Sequence, residues 1–304
     1  MAKKIIFIFL ITGFLYFPSL IAQVRMIVIA DSTSKLPLPY ATVKIINRNS
    51  GYFADRNAAL NILALENDSL LLTYVGYETL VLPLRQIIDT VFLKRKTYDL
   101  SEVVIRAYSE EHNAGIFKYK KSWTIFFDES SEYALRIDLS GINGTYLIKK
   151  IFLPIEFNNN TFENSICKVH IYRVGNNGKP GEELLTKSVI IDKKYASKKD
   201  FYIDISDQKL VASDKVLFVG VECIMDKIVA QYKSNLSEKR DFNQRAKVSP
   251  VSLFISKETV YFDDSYDHKF FRNLKSKNYN WHGGNYLNKD ALNFAAGLVV
   301  LTGK

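Results

Sequence analysis

The chain has 304 residues, with 41 basic against 32 acidic side chains, a formal net charge of +9, 18 Tyr, 20 Phe, 14 Gly, 7 Pro and 2 Cys. That composition supplies ample material for a packed core, and its Tyr, Phe, Ile, Val and Thr favour strands. The basic excess is no nucleic-acid footprint: pairs such as Lys149–Lys150, Lys193–Lys194 and Lys198–Lys199 are scattered among acids, as on solvated faces rather than along one basic stripe.

Lys3 and Lys4 precede an almost unbroken apolar run from Ile5 to Phe17, which Pro18 and Ser19 end before the small Ala22. This is the tripartite layout of a secretory signal, and the run falls short of the roughly 20 apolar residues of a spanning helix. Cleavage is expected near Ala22 or Gln23, removing residues 1–22. No cysteine follows the run to carry a lipid, and no later segment is long and apolar enough to span a membrane as a helix. A soluble, exported protein is expected, which also argues against nucleic-acid partners.

Short β segments follow, separated by turn signals. Val24 to Ala30 reads as a strand, and Asp31 to Pro39 as a polar connection. Ala41 to Asn47 alternates with Ala41, Val43 and Ile45 on one face, and Asn49–Gly51 turns the chain. Leu60 to Leu65, Ser69 to Tyr74, Glu78 to Leu82, Asp89 to Leu93 and Glu102 to Arg106 complete a set of short strands without a convincing helix. Such a series over residues 23–107 predicts a small β-sandwich.

The segments LPLPYATVKI (Leu36 to Ile45), DSLLLTYVGYET (Asp68 to Thr79) and LKRKTYDLSEVVI (Leu93 to Ile105) carry a resemblance. Together they resemble the carboxypeptidase regulatory-like module, a transthyretin-like β-sandwich found in front of TonB-linked outer-membrane receptors of Gram-negative bacteria. The resemblance implies a scaffold in the periplasm or at the cell surface, not a peptidase. The module contains no histidine, whereas zinc peptidase chemistry needs His and Glu ligands at tight spacing. His112, His170, His268 and His282 form no such His-Glu pair in sequence. Gly76, in Tyr74–Val75–Gly76–Tyr77, is read as a tight corner that needs unusual φ/ψ. The pattern departs at Asn57–Ala58–Ala59, where the family has a Gly turn, and this weakens a two-residue hairpin there.

Residues 108–115 (YSEEHNAG) are polar and read as a linker. Residues 116–304 again read as strands: Trp123–Phe127, Tyr133–Leu139, Tyr146–Pro154, Cys167–Val174, Lys187–Ile191, Phe201–Ile205, Val216–Cys223 and Val251–Ile255. Asn176–Gly178 and Pro180–Gly181 read as two successive reversals, and Lys193 to Lys199 as a turn. This part resembles extracellular jelly-roll β-sandwich domains. An outer-membrane barrel is the competing architecture, but the strands lack clean lipid-facing alternation.

Alternation puts Cys167 on the face of Val169 and Ile171, and Cys223 on that of Val219 and Val221. Both thiols are expected in a core, bonded if their strands are neighbours and otherwise as separate buried thiols. Asp263, Asp264 and Asp267, with His268 nearby, have the oxygen-rich character of a cation site but no known metal-ligand spacing. Tyr279, Trp281 and His282 combine aromatic faces with neighbouring amides, groups suited to stacking on sugars. Asp31–Ser32–Thr33, Asp68–Ser69–Leu70 and Asp89–Thr90–Val91 resemble a short O-glycosylation motif at Ser32, Ser69 and Thr90. Nucleophile-elbow, P-loop and dinucleotide fingerprints are missing, so no catalytic residue and no cofactor is expected. The expected function is a non-catalytic binding or assembly protein of the cell envelope, whose N-terminal module docks to an envelope protein. The alternative is a carbohydrate-binding protein with a glycan partner.

Overall fold

The computed structural model describes residues 23–46, 48, 50–64, 67–97, 108–126, 131–157, 165–198, 200–224, 251–256, 269–273, 282–283 and 294–303. Period-2 alternation sets the first strands. In β1 (Gln23–Asp31), Ile27 and Ile29 point inward and are fully buried, while Val24 and Met26 point outward. β2 (Thr42–Ile45), β3 (Gly51–Phe53), β4 (Ala59–Ala64), β5 (Ser69–Thr73), β6 (Leu80–Pro83) and β7 (Thr90–Leu93) follow. They form two sheets, β4–β1–β7 and β3–β2–β5–β6, with β7 parallel to β1. Between them lies a core of Ile27, Ile29, Val43, Ile45, Leu60, Ile62, Leu70, Leu72 and Leu93. The predicted strand at 102–106 lies outside the described residues.

The turn at Asn57–Ala58–Ala59 forms without glycine. Ala58 takes φ of 62°, and the Asp55 carboxylate accepts the amides of Asn57 (2.8 Å) and Ala59 (3.0 Å). These side-chain hydrogen bonds hold a conformation that costs an L-residue about 1 kcal/mol or more.

Beyond the first module come β8 (Tyr108–Gly115), β9 (Tyr119–Phe126), β10 (Ser131–Asp138), β11 (Tyr146–Phe152), β12 (Ile155–Phe157), β13 (Ile166–Val174), β14 (Pro180–Glu183) and β15 (Val189–Ile191). After the short helix α1 (Lys193–Ser197) come β16 (Tyr202–Asp204), β17 (Leu210–Ala212), β18 (Val216–Ile224), β19 (Val251–Ser256), β20 (Lys269–Asn273), β21 (His282–Gly283) and β22 (Gly297–Gly303). A seven-stranded sheet runs β14–β13–β18–β10–β20–β21 with β15 on β13; a five-stranded sheet runs β16–β11–β22–β8 with β17 on β11. A second core contains Leu135, Ile137, Ile148, Ile151, Val169, Ile171, Leu217, Val219, Val221, Leu298 and Val300. The fold is all-β and sandwich-like, as predicted.

Three local expectations are corrected. Residues 108–115 are strand β8 rather than a linker: they pair with β22 from Gly115↔Gly297 to Tyr108↔Gly303. Pro180 opens strand β14 instead of a second reversal. Residues 193–197 are helical, because the Asp192 side chain caps the amides of Lys194 and Tyr195 and the Tyr195 hydroxyl donates to the Leu153 carbonyl at 2.9 Å.

Candidate functional site

The face of the seven-stranded sheet that points away from its core is buried as well. Alternation places Lys168, His170 and Tyr172 of β13, Phe218, Gly220 and Glu222 of β18, and Glu132 and Ala134 of β10 on this face. All the side chains among these are no more than 6% exposed. Gly220 lets the strands pack so: a Cβ there would stand 2.8 Å from the Tyr172 ring and 3.0 Å from Glu132 Oε1.

The ionisable groups pair with one another, except that His170 Nε2 has no hydrogen-bond partner among the described residues. Lys168 Nζ donates to Glu222 Oε2 at 2.9 Å, and the Tyr172 hydroxyl donates to Glu132 Oε1 at 2.7 Å. His170 Nδ1 lies 2.6 Å from Glu183 Oε2, and its Nε2 lies 3.8 Å from Glu222 Oε2. The other Glu183 oxygen accepts the amides of Ile171 and Leu185, each at 3.0 Å, where β14 leaves regular register with β13. Burial alone would lower the pKa of His170. The carboxylates of Glu132, Glu183 and Glu222 outweigh it and raise the pKa to about 9.

The first module covers this face. Lys168 Nζ also donates to Thr42 Oγ1 at 2.9 Å and stands 5.0 Å from the centre of the Phe53 ring. Thr42 and Lys44 therefore sit on a buried outer face of β2, whose four residues are all buried. Burial lowers the Lys44 pKa. At the neighbouring Tyr74–Tyr77 turn, the Tyr77 amide donates to the Tyr74 carbonyl at 3.1 Å. Gly76 takes φ of 82° there, the left-handed third position of a type II turn. A Cβ on Gly76 would overlap the Thr186 carbonyl oxygen. The turn inserts Val75 into the second core. Lys96 pairs with Glu182 on β14.

The turn is also tied back into its own module. Tyr77 and Arg95 both donate to Asp31 Oδ2, at 2.6 and 2.7 Å, and Asp31 Oδ1 accepts the amides of Thr33 and Ser34. The Tyr77 hydroxyl and the backbone amides hold Asp31 well below the usual carboxylate range. Tyr77 is pushed up to about 12, by burial first and by Asp31 second.

The sequence-derived sites fare differently. Cys167 and Cys223 come together as directly opposed residues of β13 and β18, both fully buried as thiols. Ser32 lies in a turn, and Ser69 and Thr90 open β5 and β7; all three are half-buried. Asp263, Asp264, Asp267, Tyr279 and Trp281 lie outside the described residues. His282 is placed by its backbone, opposite Phe271.

The cluster of Glu132, Lys168, His170, Glu183 and Glu222 is not legible in sequence, because alternation shows only that Lys168 and His170 face away from Cys167, Val169 and Ile171. A signal was present: the same face carries Ala134, Tyr172, Phe218 and Gly220, which is too apolar for open water. Although no His-Glu pair is close in sequence, His170 meets Glu183 and Glu222 in space. Among the described residues, no group of His, Cys, Asp and Glu is arranged to hold a metal ion. No described helix is long and apolar enough to cross a membrane.

No protein-family model matches the chain. No curated protein matches it either. Among solved structures, it is similar to a mutant VP2 protein of infectious bursal disease virus in derived T=1 particles, with 7% identity and a TM-score of 0.22 over 92% of this chain. It is similar also to the VP2 subviral particle of the same virus, with 8% identity and a TM-score of 0.20 over 92% of this chain. The chain spans 61% and 63% of the length of those two proteins.

Proposed function

We propose that the protein is an exported, non-catalytic binding or assembly protein of the bacterial cell envelope. Its N-terminal module, of the carboxypeptidase regulatory-like kind, docks to an envelope protein. One observation carries this reading: the module's two sheets have unlike outer faces. That of β3–β2–β5–β6 is taken up by the polar seam with the seven-stranded sheet. That of β4–β1–β7 is open and apolar, with Val24 71%, Met26 64%, Leu63 55% and Phe92 44% exposed. Val24 lies opposite Leu63, and Ala30 opposite Phe92, so these side chains share one sheet face.

Such a face favours a protein surface as its occupant. The face is mainly aliphatic, with Phe92 as its one exposed ring and Asn61 opposite Met26. Lys35 adds a cation 4.2 Å over the Phe92 ring at the rim. The ionisable groups of the cluster are spent on joining sheets, which supports a scaffold rather than an enzyme.

The test is crosslinking in intact envelopes followed by affinity purification, with wild type beside a Met26→Lys/Leu63→Lys variant. Wild type should recover envelope proteins that the variant loses, with the fold of the variant checked by circular dichroism. Equal recovery by both, or recovery of no envelope protein, would overturn the reading.

A further inference from the structure

We propose that Cys167 and Cys223 form a disulfide that staples the neighbouring strands β13 and β18 of the seven-stranded sheet when the chain folds under oxidising conditions. The two residues are Cα partners in the antiparallel β13–β18 ladder. Opposed residues in such a ladder stand about 4.5–5.5 Å apart between Cα atoms, within the roughly 4.4–6.8 Å span that a disulfide bridges. Both side chains point to the same face of the sheet.

Folding order follows from burial. Both thiols are fully buried, and burial, with the neighbouring Cys223 thiol second, raises the Cys167 thiol well above its ordinary pKa. A buried neutral thiol does not attack. The bond therefore forms while β13 and β18 are paired but the opposing sheet has not yet closed over them. The oxidant is an external disulfide, carried by a protein or by a small thiol. One cysteine thiolate attacks it and displaces one donor thiol, giving a mixed disulfide. The second cysteine thiolate then attacks its partner's sulfur and displaces the other donor thiol. The pair gives up two electrons and two protons, and the donor leaves as two thiols.

The staple has a structural consequence on the opposite face. Lys168 and Glu222 are the adjacent opposed pair in the same register. A bond at 167–223 fixes the register that brings Lys168 to Glu222 and on to Thr42 of the first module.

The test refolds denatured, reduced protein in a buffer of oxidised and reduced glutathione, then denatures it and alkylates with iodoacetamide. The expected product takes up no alkyl group, has a mass about 2 Da below the reduced chain, and yields one peptide pair joined at 167 and 223. Two alkyl groups on the refolded protein would overturn the proposal. A Cys167→Ala/Cys223→Ala variant supplies the second readout. Reductant should lower the urea midpoint of the wild type and leave the variant unmoved; an unmoved wild type also overturns the proposal. Neither readout depends on the docking face, so this proposal and the envelope-docking reading can fail separately.

Discussion

Lys168 shows how much one side chain carries at the seam. It is 5% exposed and its partner Glu222 4%, so Lys168→Ala takes the nearest cation from a buried carboxylate. That should cost about 3–5 kcal/mol in urea denaturation, whereas the double variant Lys168→Met/Glu222→Leu should recover most of the loss. His170 makes the same site sensitive to alkali. Its pKa is about 9 in the fold against an ordinary 6.5, so the folded chain holds a proton that the unfolded chain gives up. This contribution is complete below pH 6.5 and is lost as pH rises through 9, amounting to about 3 kcal/mol. Denaturation curves at pH 6 to 10 should show the decline, and His170→Gln should flatten it. At this scale Gly76 was legible, because Tyr74–Val75–Gly76–Tyr77 announces a corner; its approach to Thr186 was not. The charged cluster stayed hidden for a related reason. Alternation tells which residues share a face, but not whether a second sheet covers that face.

The strand cores were read with small errors at their ends wherever apolar alternation was strong, as in β1, β10, β13 and β18. The failures were of another kind. β8 is polar, with only Ala114 buried, and its place depends on pairing with β22 far along the chain. His112 Nε2 meets Thr302 Oγ1 at 2.9 Å across that ladder, a contact no local window contains. At one end of the ladder two glycines face each other, Gly115 with φ of 110° and Gly297. A Cβ on Gly297 would stand 2.5 Å from the Phe117 ring and 2.9 Å from the Ala114 carbonyl oxygen. Gly297→Val should therefore force β8 and β22 apart at that end. The amides of residues 110–115 should exchange slowly with deuterium in the wild type and markedly faster in the variant. Equal protection would show that the close approach of these glycines is not what seats β8.

The described residues form two large cores, and the seam between them joins the charged cluster to a small apolar group of Ala134, Tyr172 and Phe218. Independent units joined by a short tether would unfold in separate steps. Here Val75 of the first module sits in the second core, Lys168 reaches Thr42 and Lys96 reaches Glu182. Each contact is lost if either side melts, so the free energy of the seam couples the two cores. The wild type should give a single calorimetric transition with calorimetric and van't Hoff enthalpies in agreement. Thr42→Val removes an acceptor of Lys168, and Lys96→Glu turns an attraction to Glu182 into a repulsion, while neither change touches the apolar interior of a core. The Thr42→Val/Lys96→Glu variant should therefore keep its strand content yet unfold in two steps, the first module separating from the second. A single transition that merely shifts downward would mean that the inserted Val75 turn suffices to couple the cores.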